Sequence, residues 1–362
     1  MPMFQTSVRS GLSIAAVAAT VLLASCATPE PEPVAPPPPP PPPAVTLNEG
    51  VAEAASIYVT FIREVGSIQA GFPDAESIQA AIRRGAAYEP AQLSRGMIAY
   101  GSILALQSPE FVAGVRTFGV DPAQRQGMIE RIIANPAYAA TLPGADAAAG
   151  LIVEVIGKDS AALMTIANAV EEDAYTIQGR GDPRRRWASI HIQRREDRLE
   201  SAKSLSAVQM LPSADEAARL FAAANTGSGL SLTAAEAGPP YTPAVVNSLA
   251  IAALAALGAG GDDARANTEA LVVESNSEFC LNMSKLMLFQ CLAASRPSYE
   301  DIFCVGRHIM RDLATCTASN ITPIPPVTPV PDTAVAGAGG ISSPVAAGAA
   351  AASISAVQTA SR

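Results

Sequence analysis

Histidine, tryptophan and basic charge are scarce in this chain. Its 362 residues hold two histidines and one tryptophan, and Phe, Tyr and Trp together make up 5%. A histidine-rich metal centre is therefore not expected. Neither His191 nor His308 has a serine, cysteine or carboxylate at a spacing that marks a catalytic triad, so both are expected to be structural. Lys and Arg number 24 against 33 Asp and Glu, a net charge of −9. Nucleic acid rewards clustered cations and is not expected as a partner. No Cys-x-x-Cys pair is present, which disfavours a structural zinc site, and no cofactor or metal is expected. Long apolar runs are missing too. The stretches 12–23 and 244–257 both fall short of the roughly 20 residues that cross a bilayer. The apolar share is still 49%, with alanine supplying much of it where a sheet would want branched and aromatic side chains. That composition predicts an all-α fold.

What is present begins at the N-terminus. Arg9 supplies a positive flank, 12–23 a short apolar run, and small residues stand before Cys26, the layout of a secretory signal. Leu23-Ala24-Ser25-Cys26 resembles the bacterial lipobox. The resemblance is confined to the first 26 residues and implies removal of 1–25, with Cys26 becoming the lipidated first residue of a lipoprotein. Two or more acyl chains, at about 0.8 kcal/mol per buried methylene, hold a protein durably on a membrane where one chain does not. Ala27 stands where an aspartate would favour inner-membrane retention in the pattern this resembles, so the outer membrane, facing the periplasm, is the expected address. The alternative is an ordinary cleaved signal whose cysteine is coincidental.

Next comes a proline tract ending in eight consecutive prolines, 36–43. Polyproline II geometry makes that run a stiff rod of about 25 Å at roughly 3.1 Å per residue. Residues 26–45 are thus expected to form a stalk, with docking to an aromatic groove as the alternative use. At the far end, 321–362 mixes prolines with Ala, Gly and Ser and is expected to be disordered. Between the two, 46–224 reads as an N-terminal helical domain and 242–320 as a C-terminal helical region. The glycines and prolines of 225–241 read as the linker between them.

Helix-start signals recur through the body. Thr46 with Glu49 suggests a capping box for a helix over 47–66, and 73–88 and 90–107 read as the next two. Ser108-Pro109, Asp121-Pro122, Asp182-Pro183 and Thr242-Pro243 each place a capping side chain before a proline at the first helical position. Ser213 with Glu216 starts another. Residues 145–178 predict one long alanine-rich helix, 183–209 a charged helix, and 244–257 a buried central helix.

Cys280, Cys291, Cys304 and Cys316, spaced by 11, 13 and 12, fit two helices joined at Arg296-Pro297-Ser298, with Ser298 capping the second and Asp301 three residues on. Within a helix, Cys280 and Cys291 lie about 16 Å apart, beyond the roughly 4.4–6.8 Å a disulfide spans. An antiparallel hairpin then joins Cys280 to Cys316 and Cys291 to Cys304. Residues twelve apart on an α-helix point about 120° from one another, so Cys304 and Cys316 require a local distortion. An exported compartment is oxidising, and free buried thiols are the remaining alternative.

Sharper motifs compete with plainer readings. Arg180-Gly181-Asp182 resembles an integrin-recognition tripeptide, but chance together with Asp182 as a helix cap explains it better. Arg184, Arg185, Arg186, Trp187, Arg194, Arg195 and Arg198 could make a basic aromatic face for phosphate or glycan. Interleaved Glu196, Asp197 and Glu200 favour a salt-bridged solvated helix instead. Glu274-Ser275, with the Leu286-Met287-Leu288-Phe289-Gln290 segment, faintly resembles motifs of lytic transglycosylases, which would cast Glu274 as a general acid. The second motif lacks its glycine.

The function these readings imply is a lipid-anchored envelope protein acting as a structural or binding module without catalysis. Its partners would be the membrane, through the anchor, and an envelope protein or peptidoglycan. Peptidoglycan cleavage through Glu274 is the alternative.

Overall fold

The computed structural model describes residues 41–323, Gly181 excepted. Cys26 and the expected lipid anchor, most of the stalk and the tail 324–362 lie outside the described residues. Among the described residues there is no β-strand, and the fold is all-α. The helices are α1 Glu49–Gly66, α2 Ala75–Ala86, α3 Pro90–Ala105, α4 Pro109–Arg116, α5 Pro122–Ala134, α6 Ala145–Arg180, α7 Arg195–Ser206, α8 Ala214–Thr226, α9 Pro243–Ala256, α10 Ala266–Glu269, α11 Ser275–Ala294, α12 Ser298–Cys304 and α13 Asp312–Ile321.

The proline-led starts form as the sequence dictates. Ser108, Asp121 and Thr242 each accept a backbone N–H of the first turn, with proline at the first helical position. Two caps differ from expectation. At α1 the cap is Asn48, not Thr46: its Oδ1 accepts from Val51 N–H at 3.1 Å, while its Nδ2 donates to Gly260 O and Thr268 Oγ1. A side chain that also bonds 212 residues away fixes the α1 start against the rest of the fold. At α12 the cap position falls on Pro297, so Ser298 is inside the helix and makes no cap, and Asp301 pairs with Arg198.

α9 has only Asn247 and Ser248 as polar side chains, and from Ser248 to Ala256 it is buried on every side. It packs on α3, which in turn packs on α1, and the long α6 crosses α3, α12 and α13. α1 and α3 approach so closely that a Cβ on Gly96 would lie 2.5 Å from the Ala54 carbonyl oxygen. One hydrophobic cluster runs through Leu93, Ile98, Ile152, Leu249, Leu254 and Ile309, so the stretches on either side of 225–241 share a core. The 225–241 segment lies against α6, where Ala237 N–H donates to Asp146 O at 3.0 Å. No helix among the described residues is long and apolar enough to cross a membrane.

The four cysteines pair as Cys280–Cys316 and Cys291–Cys304, each with Cα atoms 5.7 Å apart. The distortion that this pairing needs is a π-helical segment, Val305–Arg311, between α12 and α13. An i→i+5 turn holds one residue more than an α turn, which takes back about 100° of the 120° misalignment and leaves about 20°. Gly306 lets this wide turn sit on α6, since a Cβ there would fall 2.8 Å from Glu171 Cγ. Arg311 then pairs with Glu171 at 2.7 Å and bonds Asn168.

At its N-terminal end the chain is strapped to the body before α1 begins. Arg116 Nη2 donates to Pro43 O at 3.1 Å and Pro42 O at 3.4 Å, Thr46 N–H donates to Ala255 O, and Leu47 bridges Gly260.

Candidate functional site: a cleft where the charged helix breaks

The helix expected over 183–209 is interrupted, and the interruption makes a cleft. Asp182 caps a short 3-10 turn, Pro183–Ser189, by accepting from Arg184 N–H at 2.9 Å, and that bond holds its carboxyl below the usual range. The Asp of the Arg-Gly-Asp tripeptide is thus a cap. Ile190-His191-Ile192 then runs extended beside 296–298: Ile192 N–H donates to Arg296 O at 2.8 Å and Ser298 N–H to Ile190 O at 3.2 Å. Two branched residues around a histidine favour extension over helix, and a tertiary partner is at hand. Arg194 turns the chain back with φ of +49°, and α7 starts only at Arg195. The alternation at 190–192 was the available signal for this break.

The cleft encloses about 540 Å³. Trp187, Ile190 and Ile192 line it from the broken segment, Gln79 and Glu76 from α2, and Asp197 and Arg198 from α7. The arginine cluster is divided rather than presented as one basic face. Arg185 pairs with Asp173 at 2.5 Å, and Arg195 donates to Ala293 O. Arg198 is buried against Asp301, with side chains 4% and 0% exposed, and also bonds Leu292 O. Asp301 accepts as well from Ser295 Oγ at 2.6 Å and Gln79 Nε2 at 3.1 Å. Burial pushes the Asp301 carboxyl up, and the guanidinium and these donors pull it back. Arg194 stays exposed with a loose 3.8 Å contact to Asp197. The expected helical pairing is therefore confined to such exposed contacts, while Arg198 spends its charge on tying α7 to α11 and α12.

Nε1 of Trp187 and Nε of Arg198 are buried behind the cleft surface without a hydrogen-bond partner. Each such orphan costs about 1–3 kcal/mol. His191 lies at the cleft rim and is exposed, whereas His308 Nδ1 contacts Asp312 Oδ2 at 2.9 Å on the π segment.

A second cleft of about 380 Å³ lies between α1, α3, α6 and α8, floored by Val59, Ile62, Leu163 and Ile166. Arg63, Tyr100, Asp159 and Arg219 line it, and Glu216 bridges the two arginines at 3.6 and 2.5 Å. Burial pushes the Asp159 carboxyl up to about 6, against the pull of Arg63. The ordinary value is 3.8, so between about pH 4 and pH 6 the folded chain keeps a proton that the unfolded chain has released. Stability at this group accordingly falls as pH rises through that window. Asp159→Asn is expected to raise stability at pH 7 by about 1–2 kcal/mol, after allowance for solvent screening of a half-buried group. It should also flatten the pH 4–6 slope. Urea denaturation at pH 4 and pH 7 checks both, and an Asp159→Asn chain no more stable than the parent at pH 7 contradicts the account.

Glu274 is the N-cap of α11. Its Oε1 accepts from the backbone and side-chain nitrogens of Asn276 at 3.1 and 3.0 Å, and its Oε2 from Ser277 N–H at 2.6 Å. A proton donor to a glycosidic oxygen must face its substrate. Glu274 is 7% exposed, spends both oxygens on a helix start and lines neither cleft. Among the described residues, no group of three or more His, Cys, Asp or Glu is placed to hold a metal ion. Lys285 is also buried, donating to Tyr88 O and Ser206 O, and burial pushes its amine down to about 8. It joins the α2–α3 connection to the end of α7. No family model, curated protein or solved structure matches this chain.

Proposed function

We propose that the protein is a lipid-anchored envelope module that binds a partner in the periplasm, carried on a proline-rich stalk from an acylated Cys26. The observation that carries this reading is the Leu23-Ala24-Ser25-Cys26 tetrad leading at once into the proline tract. Two features of the body agree with it. The last prolines of the tract, Pro42 and Pro43, are gripped by Arg116, so a stiff stalk would pass its position to the helical body without an intervening hinge. The two disulfides suit an oxidising compartment. Cleavage of glycan through Glu274 has no supporting geometry, since that carboxylate is a helix cap.

The test is detergent-phase partition of the full chain expressed in a bacterial host. The parent is expected in the detergent phase, and Cys26→Ala in the aqueous phase at equal thermal stability. Parent protein in the aqueous phase, or a variant that partitions as the parent does, contradicts the reading.

A further inference from the structure

The 540 Å³ cleft beside Trp187 has the size of a small-ligand site and a balanced charge. Glu76 pairs with Arg83 at 2.6 Å, Asp197 lies 3.8 Å from Arg194, and Arg198 is matched by Asp301. Each of these charges already has a counter-charge, so an anion or a cation would bind only by breaking a pair. A ligand without net charge meets no such penalty. The wall offers donors and acceptors together: amides from Gln79 and Gln193, carboxylate oxygens from Glu76 and Asp197, and guanidinium N–H groups from Arg194. A hydroxyl, which both donates and accepts, uses such a mixture in full. Trp187, Ile190 and Ile192 supply an apolar side, on which the C–H face of a ring can rest.

We infer that this cleft binds a neutral saccharide unit of the envelope glycan through the mixed polar wall and apolar side at Trp187. The choice of envelope glycan as the source of the sugar rests on the periplasmic address proposed above. The saccharide lies against the ring of Trp187, and its hydroxyls bond Asp197 and Gln193.

Trp187 is the only tryptophan in the chain, so its emission reports on this cleft alone. The experiment titrates the purified mature chain, in detergent, with a neutral N-acetylglucosamine tetrasaccharide and separately with inorganic phosphate. The tetrasaccharide is expected to give a saturable change in emission, and phosphate none. Asp197→Ala and Gln193→Ala, both at exposed side chains, are each expected to weaken the tetrasaccharide by about tenfold with an unchanged thermal midpoint. No saturable change with the tetrasaccharide overturns the inference. So does a change that survives both substitutions, or saturation by phosphate alone. Detergent partition of the same preparation separates the two readings. A chain that partitions but does not respond loses only the sugar site, and one that responds from the aqueous phase loses only the anchor.

Discussion

Reduction of both disulfides is expected to cost the folded body about 7 kcal/mol. Cys280–Cys316 closes a sequence separation of 36 and Cys291–Cys304 one of 13. The chain entropy that such loops remove from the unfolded state is worth about 4 and about 3 kcal/mol. A domain's whole stability is typically about 5–15 kcal/mol, so the two bridges together decide whether this body stays folded. The melting midpoint should fall by roughly 10–20 °C in reductant. Of the two pairwise serine variants, Cys280→Ser with Cys316→Ser should lose more than Cys291→Ser with Cys304→Ser. A midpoint that holds after thiol titration has shown complete reduction would contradict this ordering and its size.

Arg198→Met is expected to destabilise by about 3–5 kcal/mol, because it leaves a carboxylate buried without its counter-charge. The Asp301 side chain is fully buried, and Ser295 and Gln79 alone cannot balance an ion in that position. The effect should spread beyond the pair, since Arg198 also holds Leu292 O near the end of α11. Adding Asp301→Leu to Arg198→Met should recover at least about half of the loss, since an apolar pair carries no uncompensated charge. Urea denaturation of the two single variants and the double variant gives the coupling directly. A cost below about 1 kcal/mol for Arg198→Met would show that the pair is solvated and not buried.

The helical body was legible where local chemistry decides. Proline at the first helical position with a capping side chain before it placed α4, α5 and α9, and the apolar character of α9 gave its burial. The disulfide pairing followed from helix rise and azimuth. Even the misfit between Cys304 and Cys316 pointed to the π turn, although its exact form depends on the close approach of Gly306 to α6. What could not be read depends on contacts distant in sequence. Asn48 caps α1 because Gly260 and Thr268 hold its amide, which no local pattern near Thr46 reveals. The local pattern at Ser298 points to Asp301 as part of a cap, yet Asp301 pairs with Arg198, 103 residues earlier. The charged helix breaks at 190–194 because 296–298 offers a backbone partner, and this one tertiary event creates the cleft. Trp187 and the arginines were visible as a candidate face. Their division into buried ties and exposed rim was not.

Mass spectrometry of the native N-terminal peptide tests the central claim most directly. A peptide that starts at Cys26 and carries the added mass of two or three acyl chains is the predicted result. A bare Cys26 thiol, or residues 1–25 still attached, would contradict it.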